Sequence, residues 1–465
     1  MSRSDSMTFN FTNFIDFINS IMAIISRVKN FILIIGDIAT LYLSLYLALL
    51  IRYREVPAEL VWRAHFWPFS ITFLVWIGVF YIAGLYNRQI AKNDYAFYTT
   101  VLKTIALTVA ITIFIFYANP SFDIAPKTTL LLMVFIFLAL FLLWRRSYNA
   151  LIKSESFLNN IIFIGANKES LEIMEMLRRN PQLGYKAWGE INYSEAENIK
   201  SIIEKNGINT VVHIKNPAER EDMAKILCSL IPLEVSIVEL PRFYAQIARK
   251  VPISIIGETW FLENLIESEK SVYKMWKRLL DIALALALSI IFLPFLPLIA
   301  LAIKLDSHGP VFYTQTRTGK NGWLFQLIKF RTMIENAEQK GAQWTAQKDN
   351  RVTKVGSVLR KLRVDELPQL WNVLLGDMSF VGPRPERPEF IQTLEKEVPF
   401  YQMRHLVKPG LTGLAQINGP LLGAGVADSL EKLQYDLYYI RQRSVVIDFD
   451  ILFKTIPVVL GRKGH

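Results

Sequence analysis

The 465-residue sequence contains one cysteine, Cys228, and five scattered histidines, His65, His213, His308, His405 and His465. A single cysteine excludes a disulfide within the chain and argues against a thiolate metal site. The histidines show no HxH or HxxxH spacing, so any metal used should be a hard cation held by carboxylate and phosphate oxygens. Acidic residues are in short supply too: 41 Asp and Glu face 52 Lys and Arg, a formal charge of +11. That surplus suits a membrane surface, nucleic acid or a polyphosphate substrate. Apolar residues make up 52% of the chain and mean hydropathy is +0.27, yet 20% of residues are charged. Such a mixture argues against both a purely soluble protein and a bare membrane bundle. It suggests membrane segments joined to water-facing domains.

Residues 1–28 alternate Phe and Ile with polar residues and lack a basic n-region and a small-residue cleavage site. They read as an interfacial amphipathic helix, not as a cleaved signal peptide. Within residues 29–150, four apolar stretches near the length needed to cross a bilayer lie at Phe31–Ile51, Trp67–Leu85, Thr100–Ala118 and Thr128–Trp144. Arg27 and Lys29, Arg88 and Lys92, and Arg145, Arg146 and Lys153 mark cytoplasmic flanks, although Arg52, Arg54 and Arg63 in the first outer loop count against this orientation. Four spans with both ends cytoplasmic is the most economical topology.

Residues 157–245 alternate short apolar runs (Asn160–Ile164, Thr210–Ile214, Glu234–Glu239) with helical patterns, which predicts a Rossmann-like parallel sheet. The first turn, Gly165-Ala166-Asn167-Lys168, lacks the second and third glycines that let a backbone approach pyrophosphate, so its nucleotide site reads as degenerate. Residues 273–304 are apolar again, with Lys274, Lys277 and Arg278 before them and Lys304 at the end. Pro294 and Pro297 interrupt the middle, where each removes a backbone hydrogen bond. Positive charge at both ends favours a helix that enters the bilayer and returns over a kinked span.

Residues 305–465 are rich in Gly, Pro and Arg. Between Lys274 and Lys408 there are 20 Lys and Arg against 12 Asp and Glu. Two adjacent acids, Asp365 and Glu366, sit inside this basic stretch, just before Pro368, with Gly376 eight residues further on. Pro368 suits the first turn of a helix that Gly376 would end, which puts the acids at its N-terminal end. There one carboxylate can attack phosphorus while its neighbour holds a divalent cation. Arg360, Lys361, Arg363 and Arg384 can contact phosphate oxygens.

Asp365-Glu366-Leu367-Pro368-Gln369, with Val381-Gly382-Pro383-Arg384-Pro385, resembles the catalytic core of the monotopic phosphoglycosyl transferases, also called bacterial sugar transferases. Lys304–Tyr313 with Gln315 and Arg317, Lys329-Phe330-Arg331-Thr332-Met333, Lys408–Gln416 and Tyr435–Tyr439 are similar to further blocks of that family. The resemblance covers roughly residues 273–457, and the preceding regions are similar to the large polyprenyl-phosphate members. It implies a membrane α plus α/β protein: four transmembrane helices, a Rossmann-like domain, and a monotopic α+β catalytic domain with a re-entrant helix broken at Pro294 and Pro297. It implies that Asp365 attacks the β-phosphorus of a UDP-sugar, expels UMP and forms an aspartyl phosphosugar. Undecaprenyl phosphate would then accept the phosphosugar, the first membrane step of surface polysaccharide synthesis. Glu366 would bind Mg²⁺, and Arg384, Arg360, Arg363, Lys329 and Arg331 would hold phosphate. The implied setting is the bacterial inner membrane, with the catalytic domain facing the cytoplasm. The implied partners are the lipid bilayer and a second copy in a homodimer, with no nucleic acid. Two departures stand out: Leu293 precedes Pro294 where the family often has Ser, and Pro420 follows Asn418-Gly419 where many members have Arg.

Other readings are a nucleotide-sugar epimerase or dehydratase, a non-enzymatic assembly protein, and a DxD glycosyltransferase through Asp448-Phe449-Asp450. The first needs GxGxxG and a Tyr-x-x-x-Lys pair, and residues 157–245 contain neither.

Overall fold

The computed structural model describes residues 11–86, 95–119, 122, 127–153, 158–192, 195, 198–214, 221–265, 271–335, 351–419 and 425–460. They form two compact units that divide after Phe243.

The first unit begins with four long helices: α1 (Phe11–Tyr53), α2 (Glu59–Ile82), α3 (Tyr95–Ala118) and α4 (Lys127–Lys153). Each contains a segment long and apolar enough to cross a membrane. The expected division at residue 28 is not marked by a break, because α1 runs through it. Outward-facing side chains such as Leu74, Phe114, Leu131 and Phe135 are apolar and exposed, as lipid contact requires. The interior is aromatic, with Trp76, Phe80, Phe137 and Phe141 in mutual contact. Gly36 in α1 lies directly under the Trp144 ring of α4, where a Cβ would collide.

One flank residue proves to be interior. Arg145 is 1% exposed and pairs with the fully buried Asp37 at 2.5 Å, while donating to the Leu85 carbonyl at 2.8 Å. An uncompensated buried charge costs about 3–5 kcal/mol, so Asp37 requires its cation inside the bundle. Two of the arginines read as an outer loop lie instead in helices and have partners: Arg52 of α1 donates to Thr129 at 2.5 Å and Arg63 of α2 to Glu59 at 2.5 Å.

The α/β part follows as β1 (Asn159–Ile164), α5 (Lys168–Arg179), β2 (Tyr185–Ile191), α6 (Ile199–Asn206), β3 (Thr210–His213), α7 (Glu221–Leu230), β4 (Ser236–Glu239) and α8 (Leu240–Ala248). Its four strands are parallel in the order β2-β1-β3-β4. The three strands expected from apolar runs are present. The fourth, β2, is an edge strand whose side chains alternate between half-buried and exposed, so it lacks the run that marks a central strand. At α5 the Ser170 amide is taken by the Asn167 side chain at 2.7 Å, so the first turn is closed by its own capping box.

In the second unit, α9 (Glu258–Asn264) precedes α10 (Ser271–Phe292). The chain then tightens to a 3₁₀ turn at Leu293–Phe295 and resumes as α11 (Leu296–Asp306), with Pro294 in the turn and Pro297 in the first turn of α11. An antiparallel hairpin of β5 (Phe312–Thr318) and β6 (Leu324–Phe330) follows. At its tip Asn321 and Gly322 both take positive φ, 54° and 82°, as type I′ hairpin turns demand. Next come α12 (Lys354–Lys361), α13 (Gln369–Leu375), β7 (Ser379–Val381), α14 (Pro388–Glu397), β8 (Gly410–Thr412), α15 (Leu414–Asn418), α16 (Val426–Gln442) and α17 (Val445–Leu460).

The core of this unit joins Ala285 of α10 to Leu327, Leu370, Val373, Phe380, Tyr439 and Ile451. Polar bonds fix the same elements. Arg278 of α10 donates to the carbonyls of Val373 and Leu374 at 2.6 and 2.7 Å, closing the C-terminus of α13. Asp281 of α10 accepts from Ser379 Oγ and the Phe380 amide, both at 3.0 Å. Asn372 of α13 bonds the β6 backbone at Ile328 N and Gln326 O.

Candidate active site

Asp365 and Glu366 lie on a 3₁₀ turn, Val364–Glu366, not in α13 itself. Pro368 precedes α13, and the helix spans only seven residues before Gly376, at φ 95°, ends it. So short a helix has a weak dipole, and the field at the two carboxylates comes mainly from side chains. Arg363, in the left-handed region at φ 56°, turns the chain so that the two acids follow directly after α12.

Glu366 Oε1 is the meeting point of three cations: Arg384 Nη2 at 2.6 Å, Arg363 Nη1 at 3.7 Å and Lys329 Nζ at 3.8 Å. Burial opposes ionisation of Glu366, but Arg384, Lys329 and Arg363 outweigh it and hold the carboxyl well below the usual range. Asp365 is only 8% exposed, and its Oδ1 receives no hydrogen bond from the described residues. Burial, joined by the Glu366 charge, raises the Asp365 carboxyl to about 6 against the pull of Lys329, Arg360 and Arg363. Burial also lowers the Lys329 amine to about 8, with Glu366 opposing. Two neighbouring carboxylates with divergent proton affinities suit two different roles.

Of the residues singled out in the sequence, Asp365, Glu366, Lys329, Arg363 and Arg384 converge. Arg360 lies beside them, its Nε donating to Thr332 Oγ1 at 2.8 Å, and its charge bears on Asp365. Arg331 turns elsewhere: its Nη2 holds Ser307 O at 2.7 Å and Oγ at 3.0 Å, in the turn after α11. Pro294 and Pro297 stay within the apolar helix pair. The Pro420–Ala424 loop lies outside the described residues. Asp448 and Asp450 face different partners, Lys277 with Tyr273 and Tyr439, and Arg249 with Lys454, so they make no DxD pair.

The Arg384 turn is seated by glycines. β7 and β8 run parallel, and Gly382, Gly410 and Gly413 meet backbone to backbone, so a Cβ on any of them would strike the facing chain. Sequence reasoning gave no role to Arg278, Asp281 or Asn372, which anchor α13 and β7. The first two lie in what reads as a basic flank and an apolar helix. The signal for Asn372 is a polar residue between Trp371 and Val373 in a helix whose one other polar residue is Gln369.

No group of three or more metal-ligating side chains occurs among the described residues. The paired carboxylates, with the orphaned Asp365 Oδ1, fit Mg²⁺ as it is held at phosphate sites, by one or two carboxylates plus substrate oxygens and water.

Residues 272–462 match the family model described as bacterial sugar transferase, and residues 81–234 match one described as a CoA-binding domain. An exopolysaccharide production protein of Rhizobium leguminosarum bv. phaseoli is 43% identical over 192 residues, 40% of this chain and 96% of that protein. This chain belongs to the bacterial sugar transferase family. A UDP-N-acetylgalactosamine-undecaprenyl-phosphate N-acetylgalactosaminephosphotransferase of Aeromonas hydrophila is 46% identical over 42% of this chain and 45% of its own length. A UDP-glucose:undecaprenyl-phosphate glucose-1-phosphate transferase of Escherichia coli is 34% identical over 61% of this chain and 64% of its own length. The chain thus spans less than two thirds of either curated relative.

Proposed function

We propose that this bacterial sugar transferase moves a sugar-1-phosphate from a UDP-sugar to undecaprenyl phosphate, with release of UMP. The observation that carries the reading is the divergence within one acidic pair: a buried Asp365 whose Oδ1 accepts no hydrogen bond among the described residues, beside a Glu366 bound by three cations. An Asp365 oxygen attacks the β-phosphorus, an Asp–phosphorus bond forms, and the bond from that phosphorus to the UMP oxygen breaks. An oxygen of undecaprenyl phosphate then attacks the same phosphorus and returns the carboxylate. Arg384, Arg363 and Lys329 neutralise the phosphoryl oxygens through both steps, with Arg360 on the Asp365 side. Glu366 would hold Mg²⁺, which when bound supplies charge neutralisation at the diphosphate and the leaving group.

The apolar helix pair supports delivery of a lipid substrate. Ser271–Asp306 spans 36 residues with 6% of its apolar window buried. A straight helix of that length would reach about 54 Å, against a hydrocarbon core of about 30 Å. A re-entrant helix turning at Pro294 keeps both ends, and the active site, on the cytoplasmic face of the inner membrane.

Purified full-length protein in detergent, given Mg²⁺, undecaprenyl phosphate and either UDP-glucose or UDP-N-acetylgalactosamine, is expected to release UMP. Release of UDP instead would identify ordinary glycosyl transfer and overturn the scheme.

The pH dependence follows from the two displaced groups. The attacking form of Asp365 is the carboxylate, so kcat/KM for the donor should rise through about pH 6 and lose roughly tenfold per unit below it. Above about pH 8 it should decline as Lys329 loses its proton. In a two-step scheme this parameter reports only the first half-reaction, which excludes titration of the lipid phosphate. A profile flat down to pH 4.5 would show that the Asp365 carboxyl is not raised in the working enzyme.

A further inference from the structure

Arg384 reaches Glu366 from a turn whose backbone is held at four successive carbonyls. Pro383 O accepts from the Gly410 amide at 2.9 Å, and Arg384 O from Arg404 Nη2 at 3.0 Å. Pro385 O accepts from Arg317 Nη1 at 3.0 Å, and Glu386 O from the Thr318 amide at 3.1 Å. Prolines on both sides of Arg384 fix their own φ angles. Of the four clamps, the one on Arg384 itself comes from a deeply buried guanidinium. Arg404 is 4% exposed, ion-paired to Asp436 at 2.9 Å, hydrogen-bonded to the Tyr401 hydroxyl, and stacked over the Tyr401 ring at 5.0 Å. Tyr401 and Asp436 are themselves 2% and 1% exposed.

A guanidinium taken out of water is costly unless its donors are used. Here one fork arm of Arg404 reaches the Tyr401 hydroxyl and the other the Arg384 carbonyl, and Asp436 on α16 supplies the counter-charge. None of these three side chains touches Asp365 or Glu366. We propose that Arg404, oriented by Asp436 and Tyr401, is a positioning residue that sets where the Arg384 guanidinium meets Glu366 and the transferred phosphate. This inference rests on the reaction assigned above. A displacement of about 1 Å at such a contact costs up to about 100-fold in rate, and only the planar fork of arginine serves two acceptors at this spacing. A lysine keeps the charge but loses the geometry.

The test combines single and paired substitutions in the full-length protein, with UMP release and UMP binding by calorimetry as separate readouts. Arg404→Lys should lower kcat roughly tenfold or more while KM for the donor changes by less than about threefold. Tyr401→Phe, which removes one hydroxyl and leaves the ion pair, should lower kcat about threefold at temperatures where the variant is still fully folded, although the unmet buried donor lowers its melting temperature. Adding Arg404→Lys to Arg384→Lys should cost little beyond Arg384→Lys alone, in rate and in UMP affinity, because both act through one guanidinium. Additive losses, or losses that follow the melting temperature alone, overturn the positioning role and leave the reaction standing. Wild-type protein that neither releases nor binds UMP overturns the reaction and the positioning role with it.

Discussion

Asp365→Asn abolishes UMP release, lowering kcat by at least about 10³-fold, while leaving the protein folded. The two halves of this expectation have one cause. Asp365 is nearly fully buried, and its Oδ1 has no hydrogen bond from the described residues. Burial disfavours the charge of Asp365, so exchange for a neutral amide of the same shape removes a strained ionised group and does not destabilise the turn. The amide cannot form the bond to phosphorus. Wild-type protein mixed with labelled UDP-sugar and no lipid acceptor should carry one sugar phosphate after quenching, and the variant none. Activity within tenfold of wild type would remove Asp365 from the covalent step.

Glu366→Gln has the second largest effect, and a different signature. Its carboxylate gathers Arg384, Arg363 and Lys329 on one oxygen. Its loss leaves three like charges without their counter-ion, and Arg384 without its anchor at 2.6 Å. Arg384 and Arg363 are 38% and 30% exposed, so water absorbs part of that repulsion. The stability loss should stay near 1–2 kcal/mol. The rate should fall about 10²-fold, and the Mg²⁺ concentration for half-maximal activity should rise. A Mg²⁺ titration of the variant that overlays wild type, at whatever rate, would separate Glu366 from the metal.

The parts of this molecule that were legible in the sequence are those where composition and local chemistry coincide. Apolar length marks the four long helices, and the alternation of strands and helices marks the parallel sheet. The central strands β1 and β3, and most of the far edge strand β4, are buried and therefore read as apolar runs. The edge strand β2 exposes Lys186, Trp188 and Glu190 in alternation and does not. The hairpin β5–β6 had a turn signal in Asn321-Gly322, but the basic and aromatic residues around it hid the strand period. Asp365 and Glu366 stood out because two acids in a basic stretch are conspicuous, and the match to family blocks then gave them roles. Arg331 shared that basic setting and folds away to Ser307, because side-chain direction along a chain leaving β6 is set by what the next turn packs against. Asp37 and Arg145 are 108 positions apart, and no local pattern joins them.

The bonds from α10 to the catalytic elements carry one more consequence. Arg278 caps α13 and Asp281 holds the start of β7, and these two elements flank the turn that presents Arg384 and the loop that presents Asp365. The stretch of α10 from Arg278 to Ala285 is therefore built into the second unit, not a tether attached to it. A soluble fragment starting beyond Asp306 would have open carbonyls at the end of α13 and an unsupported β7. The apolar helix and the turns that present Asp365 and Arg384 thus belong to one folded body, so on the reaction proposed above the place of the reacting phosphorus along that helix is set by these hydrogen bonds.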